Sequence, residues 1–311
     1  METFVLLLTA VCIPVSAAEP IHVLVVDGAN NHDWRALTEA VQAILRANGD
    51  FVIDVATSPA PSASADAWAE WRPRFGDYDV VVNEFNGGHL PDGLRWPREV
   101  EQALEEYVRG GGGLVNIHAA NNAFLEWPAY NEMIGLGWRD PSFGESLIVE
   151  NSGKIKRIPA GEGRKPGHGP SHDFVVTTLD GDHPIYRGVP KAWLHPFEQL
   201  THGQHGPAKN LTVLSYAWSK DTNENEPMDW VIPFGQGRVY TTMLGHTSTG
   251  RISSNRNLRC VGFQTVLARA VEWAATGKVT IPVPADFPTE KEASLNTLIA
   301  PNDSQDGLVI P

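Results

Sequence analysis

The residues equipped for chemistry gather where apolar runs end. "LVNIHAANN" sets His118 directly after a short apolar run, with Asn121 and Asn122 close behind. "VVDGANNHDW" ends a second run on Asp27 and delivers Asn30, His32 and Asp33. "VVVNEFNGGH" brings Glu84, Asn86 and His89, and "TTMLGH" ends on His246. Imidazole transfers protons near neutral pH and also ligates metals. Four histidine-bearing exits therefore point to general acid–base work, a metal site or sugar binding. Many α/β enzymes carry a Cys or Ser nucleophile at the position of His118, and with imidazole there a thiol or hydroxyl mechanism has no nucleophile.

Several chemistries are excluded outright. The first loop lacks G-x-G-x-x-G, no G-x-x-x-x-G-K-[ST] occurs, and no G-x-S-x-G elbow is present, so neither a nucleotide cofactor nor a serine-hydrolase triad is expected. A formal charge of −13 argues against nucleic acid or an anionic membrane as partner and leaves a small neutral sugar-like molecule as the better fit. The chain has 2 cysteines, one of them in the N-terminal apolar stretch. That leaves Cys260 without a disulfide partner, and its place in an amphipathic pattern reads as a small core residue.

The elements that would carry these residues follow from hydrophobic periodicity. "IHVLVVDG" is a near-continuous apolar strand of the kind buried on both faces, followed by the helix pattern "WRALTEAVQAILRANG" with Gly49 at its end. "FVIDVAT", a helix near "ADAWAEWRPRF", "YDVVVNEFNGG", the helix "PREVEQALEEYVRGG" and the strand "LVNIH" complete a β-α-β-α-β-α-β order. Such an order predicts a mostly parallel, doubly wound α/β sheet, which binds ligands at the carboxyl ends of its strands. The glycines at 110–113 read as a helix cap and tight turn. From Gly135 to about Pro190 the pattern breaks into an excursion containing "GEGRKPGHGPSHD"; strands return at "DFVVTTL", "LTVLSYAW", "DWVIPF" and "GRVYTTMLGH", and a last helix runs from Asn257 to Gly277.

Residues 1–18 read as a secretory leader, with an apolar run ending in Ser16-Ala17-Ala18, which predicts a periplasmic or secreted protein without stable membrane insertion. Residues 19–288 read as one elaborated α/β domain, and 289–311 as a C-terminal tail. Nothing in the pattern fixes oligomeric state, and a homo-oligomer is compatible with it.

The motifs "VDGANNHDW", "VRGGGGLVNIHAA", "DHPIYRGVP", "GPAKNLTVLSYAWS", "PMDWVIPFGQGRVYTTMLGH" and "GFQTVLARAVEWAATGKV", in that order, resemble the ThuA-like (trehalose-utilisation) family over roughly Ile21 to Pro288. The resemblance implies a flavodoxin-like sheet similar to class I glutamine amidotransferases, with His118 where those enzymes carry their cysteine. It also implies carbohydrate metabolism centred on 3-keto-glycosides, and a divalent metal ion such as Zn or Mn. His32, His118 and His246 fall on family-typical histidines. Glu198 in "FEQL" keeps one acid of a segment that commonly reads Asp-Glu-Leu, whereas Gln199 replaces the other. On this reading His32 or Glu198 is the base that removes the C2 proton of the keto-sugar. His118 and His246 hold a metal that stabilises the enolate, and Asn30, Asp33, Asn86, Asn121 and Trp138 bind substrate. The aglycone leaves by elimination, and hydration would complete a net hydrolysis. A keto-sugar isomerase or epimerase, and a non-catalytic sugar-binding module, stay open as alternatives. Trp138, Trp218 and Trp230 are candidates for stacking on a sugar ring, against core packing for each.

Overall fold

The computed structural model describes residues 19–90, 93–247 and 255–296. The leader-like residues 1–18 and the end of the tail lie outside the described residues. The first half runs β1 (Ile21–Asp27), α1 (Trp34–Asn48), β2 (Phe51–Thr57), α2 (Ala65–Glu70), β3 (Val80–Asn83), α3 (Arg98–Arg109), β4 (Gly113–Ile117) and α4 (Pro128–Ile134). The second half runs β5 (Glu145–Val149), β6 (Ile155–Ile158), β7 (Gly167–His168), β8 (His172–Thr178), β9 (Ala192–Glu198), β10 (Thr201–His202), β11 (His205–Gly206), β12 (Thr212–Ser219), β13 (Glu224–Phe234), β14 (Gly237–Thr242) and α5 (Val261–Thr276).

The main sheet has the order β2-β1-β3-β4-β14-β13-β12-β8-β9. Its first five strands are parallel, and from β13 onward every neighbour is antiparallel. The parallel part has the flavodoxin-like order, so the expected mostly parallel, doubly wound sheet is present. Alternate residues of its strands feed two cores. Val23, Val25, Val80, Val82, Val115 and Ile117 pack with α1 and α5 on one face. Leu24, Val26, Val81 and Leu114 pack with α3 and α4 on the other. Strands apolar at every position are what a sheet covered on both faces requires. Cys260 is fully buried in the first of these cores.

The excursion holds more structure than its composition suggests. β5 and β6 form a hairpin whose turn carries Gly153 at φ 83°, and β7 pairs with β10 in a small second sheet. β9, unmarked in the hydrophobic pattern because His195 and Pro196 interrupt it, forms the far edge of the sheet against β8. α5 begins at Val261 rather than Asn257, because the backbone at Cys260 is still extended. The described part of the tail wraps the domain: Phe287 is buried, Thr289 accepts a hydrogen bond from the Leu194 N–H, and Ser294 accepts one from Val261. The domain therefore continues past 288 at least to these contacts. Among the described residues no helix is long and apolar enough to cross a membrane.

The glycine run divides its labour. Gly111 takes the left-handed turn at φ 122°. Gly113 instead lets α5 come close: a Cβ there would stand 2.6 Å from the backbone of Ala274. Gly113→Ala is therefore expected to lower stability by about 2 kcal/mol, the usual cost of overpacking. Gly110→Ala, whose nearest neighbour would be 3.1 Å away, should cost less. Urea midpoints of the two variants check the order.

Candidate active site

The exits of β1, β4 and β14 meet. His32, His118 and His246 bring their rings into mutual edge-on contact, with centroids 4.9 Å apart for His32–His118, 4.9 Å for His32–His246 and 5.5 Å for His118–His246. His118 opens a tight turn directly after β4 with φ 47°, a left-handed conformation that a non-glycine residue adopts only when its surroundings impose it. Two sets of interactions impose it here. A row of buried polar side chains crosses the sheet one step before the exits: Asn83 donates to Asn116 at 3.2 Å, and Asn116 donates to Thr241 at 3.3 Å. The Tyr130 hydroxyl joins this row and holds the Ala120 carbonyl at 2.8 Å, fixing the turn that follows His118.

Tautomers follow from the partners. His118 Nδ1 lies 2.6 Å from the Met243 carbonyl, which only accepts, so Nδ1 carries the proton and Nε2 keeps its lone pair. His32 Nδ1 lies 3.1 Å from Asn30 Oδ1. The Asn30 amide nitrogen donates to the Glu84 carbonyl at 2.7 Å, which fixes Oδ1 as the acceptor facing His32. Burial, then the neighbouring His118 and His246, push His32 down to about 2. Burial and His118 push His246 down to about 4, and burial lowers His118 as well. All three rings are neutral at physiological pH, because three touching imidazoles cannot share more than a little positive charge.

Glu198 stands behind these rings, fully buried. Its carboxylate accepts from the N–H groups of Gly245 at 2.7 Å, His246 at 3.2 Å and Gln199 at 2.9 Å, and from the Asn257 amide at 2.9 Å. His195 Nε2 adds a contact at 3.3 Å. Burial alone would raise its pKa, but the hydrogen bond and charge of His195, the nearby His118 and the Asn257 amide outweigh burial and hold Glu198 down to about 2. It is an internal anion that anchors the His246 loop. Gly245 makes this possible: at φ 106° its N–H turns onto the carboxylate, and a Cβ would meet Ile117 at 2.7 Å. The expectation of Glu198 as a base facing substrate thus meets a carboxylate one layer behind the cavity wall.

In front of the rings lies a cavity of about 310 Å3, at the small end of small-molecule sites. His32, His118, Asn121 and Trp138 line it, as expected of them. Asn30, Asp33 and Asn86 do not. Asn30 orients His32, Asp33 caps α1 by accepting from the Ala36 N–H, and Asn86 is buried and donates to Asn31 Oδ1 at 2.8 Å. Trp230 belongs to the core, where its indole donates to the Ile134 carbonyl, and Trp218 is exposed away from the cavity. Sequence reasoning placed less weight on the residues of the opposite wall, Gln199, Thr201 and His168, with Asn31 and Asn122 beside them. His168 arrives through the β7–β10 pairing, a long-range contact that no local pattern signals. Among the described lining residues there is no Asp, Glu, Lys or Arg. Among the described residues no group of three or more His, Cys, Asp or Glu is arranged to hold a metal ion. His118 and His246, the pair expected as ligands, stand with His32 in one cluster whose rings meet edge-on rather than around a common metal position.

Comparisons with known proteins agree with this fold. The family model described as "ThuA: Trehalose utilisation" matches residues 22–274. A ThuA-like protein of Parabacteroides merdae has a solved structure similar to this one, with 33% identity and a TM-score of 0.82 over 90% of this chain and 99% of that one. A ThuA-like protein of Bacteroides uniformis, 16% identical, shares the fold with a TM-score of 0.55 over 86% of this chain and 97% of that one. A search of curated proteins finds no match.

Two outcomes follow from the charges behind the site. Glu198→Gln replaces an acceptor-only group with an amide whose NH2 faces backbone donors, and it strips His195 of its counter-charge. Breaking such a buried pair is expected to cost about 3 kcal/mol, read from the urea midpoint. Separately, the histidines titrate lower in the native chain than in the unfolded one, where the ordinary value is 6.5. Between pH 6.5 and about 4 the unfolded state therefore binds more protons, and stability should fall as the pH falls through this window. His246→Gln should flatten that fall in midpoints measured against pH.

Proposed function

The chain belongs to the ThuA, or trehalose-utilisation, family, and from that premise we propose that it is a carbohydrate-active enzyme that opens 3-keto-glycosides by removing the C2 proton and eliminating the aglycone. The observation that supports this reading most is a cluster of neutral imidazoles, in which His32 and His118 line a cavity whose described wall has no formally charged side chain and His246 packs against both rings. An uncharged wall of amides, a hydroxyl and aromatic rings suits a neutral polyol. Unprotonated imidazoles suit an acidic C–H.

A ketone at C3 acidifies the C2–H bond. His32, with Nδ1–H committed to Asn30, takes that proton on Nε2 while the bonding pair moves to C2–C3 and the C3 oxygen becomes an enolate. The amide and hydroxyl groups of Asn122, Gln199 and Thr201 are the neutral donors the cavity offers to that oxygen. The enolate then reforms the ketone, a C1–C2 double bond forms, and the C1–O bond breaks. The departing aglycone oxygen takes the proton back from His32. Water adding across the new double bond would give net hydrolysis. His32 is a weak base in the empty site, but the enolate forming beside it supplies negative charge, which raises the proton affinity of the imidazole as the reaction proceeds. Glu198 contributes from behind, since its charge favours the protonated form of each of the three rings.

The test is aglycone release from a 3-keto-glucoside such as 3-keto-trehalose. Removing a general base typically costs 10²–10⁴-fold, so His32→Ala should lower kcat/KM by at least about 10²-fold while its urea midpoint stays near wild type. Unchanged turnover in His32→Ala would sink the mechanism. Saturable binding of the keto-sugar without consumption would instead identify a sugar-binding module.

A further inference from the structure

Directly beneath the His32 loop lies a second pair of carboxyl groups, which the reaction above does not use. Asp27 ends β1 and Glu84 follows β3; they are 1% and 0% exposed. Between them stands the Thr38 hydroxyl of α1, with Oγ1 2.6 Å from Asp27 Oδ2 and 2.9 Å from Glu84 Oε2. A hydroxyl has one proton and can donate to only one of them. Were both carboxyls ionised, the second would face the lone pairs of Oγ1 and a like charge in a dry interior. The remaining oxygens, Asp27 Oδ1 and Glu84 Oε1, have no hydrogen-bond partner among the described residues, so neither anion is relieved elsewhere. The trio is consistent only if it holds one more proton. We propose that Glu84 is a neutral carboxylic acid that donates to Thr38 Oγ1 while Thr38 donates to the Asp27 carboxylate, and that this three-membered chain positions His32.

Which carboxyl carries the proton follows from the surroundings. Complete burial and the charge of Asp27 both push Glu84 well above the ordinary range, and Asp27 is the one charged group acting on it among the described residues. From α1 only the Thr38 hydroxyl faces it. The link to His32 is short. The Glu84 carbonyl holds the Asn30 amide, and Asn30 Oδ1 holds both the His32 N–H and its ring Nδ1. Glu84 N–H is bonded in turn to the Val26 carbonyl, and Asn86 N–H to that of Ala29. The side chain of Glu84 thus ties α1 to the strand exits, while its main chain sets the ring plane of His32. Loss of the proton would place two anions on one hydroxyl and release that tie.

The proposal concerns the protein alone, and its readouts need no substrate, so its failure is separate from failure of the functional reading. The infrared difference spectrum of wild type minus Glu84→Gln at neutral pH should contain the carbonyl stretch of a protonated carboxylic acid, and wild type minus Asp27→Asn should not. Absence of the band from the first difference, or its appearance in the second, overturns the assignment. Because the native chain holds a proton that the unfolded chain has released, Glu84 contributes a loss of stability as the pH rises above the usual carboxylate range, opposite in sign to the histidine contribution. Glu226 and Asp229, raised to about 7 by burial, keep their own decline in every variant, so the test is the difference: the midpoint of Glu84→Gln, which mimics the neutral acid, should gain on that of wild type as the pH rises, and a difference that stays constant with pH counts against the proposal. The positioning role is read from the ring 15N resonances of His32, which should move in Thr38→Val, stay in Glu84→Gln and return in Thr38→Ser. Unmoved His32 resonances in a folded Thr38→Val protein would overturn it.

Discussion

A carboxylate taken out of water must be surrounded by donors, and Glu198 organises one half of this site by meeting that demand. Its donors come from places distant in sequence: the strand edge that carries it, the loop after β14, and Asn257 before α5. None of these segments has a regular hydrogen-bonding ladder to hold it at that point. The charge therefore does what a ladder would do, and the His246 ring is where it is because its own N–H is a ligand of that charge. The same anion sits behind three imidazoles that burial would otherwise keep wholly averse to protonation. One buried group thus serves geometry and electrostatics together. This coupling also makes it sensitive: removing one partner of a buried ion pair leaves the other uncompensated.

His118 is held by opposite means, through neutral polar contacts and backbone strain. The Asn83–Asn116–Thr241 row and the Tyr130 hydroxyl stiffen the sheet at the last residue before the exits. Strand β4 can then end in a left-handed residue without fraying. Nucleophile elbows in α/β enzymes use the same strain to lift a side chain above the sheet. Here the lifted group is an imidazole with its Nδ1–H fixed on Met243. An imidazole set in this way offers a lone pair where a thiol would offer a nucleophile. The position keeps its prominence while the group it presents changes from a nucleophile to a neutral imidazole with a free Nε2 lone pair.

The legible part of this architecture was the part governed by periodicity. β1, β3 and β4 carry near-continuous apolar runs because both faces are covered, so their exits could be located, and with them His32 and His118. What periodicity cannot carry is distance across the chain. Glu198 looked like a residue facing substrate because its type and motif suited a base; its burial depends on β9 lying at the sheet edge under α5, which "AWLHPFE" does not signal. Asn30 and Asn86, expected to bind substrate, each turn inward to a backbone or amide partner, a choice decided by loop conformation. His168 reaches the cavity through a two-residue strand pairing inside a stretch that reads as coil. Gln199 stands on the wall where its neighbour does not, because successive residues of an extended segment point to opposite sides.

Charge in this protein is layered, and the layering accounts for the character of the cavity. The described wall is neutral, while anions lie one shell deeper: Glu198 behind His246, and the Asp27–Glu84 pair beneath His32. A neutral wall suits a polyol, whose hydroxyl groups exchange hydrogen bonds without having to displace strongly hydrated ions. A buried anion behind that wall acts through a low-dielectric interior, where its field on a nearby ring is weakly screened. Such an arrangement favours positive charge as it forms on the imidazoles, since Glu198 acts to raise the proton affinity of each of the three rings. In the reaction proposed above, that electrostatic help falls on the step in which a proton moves.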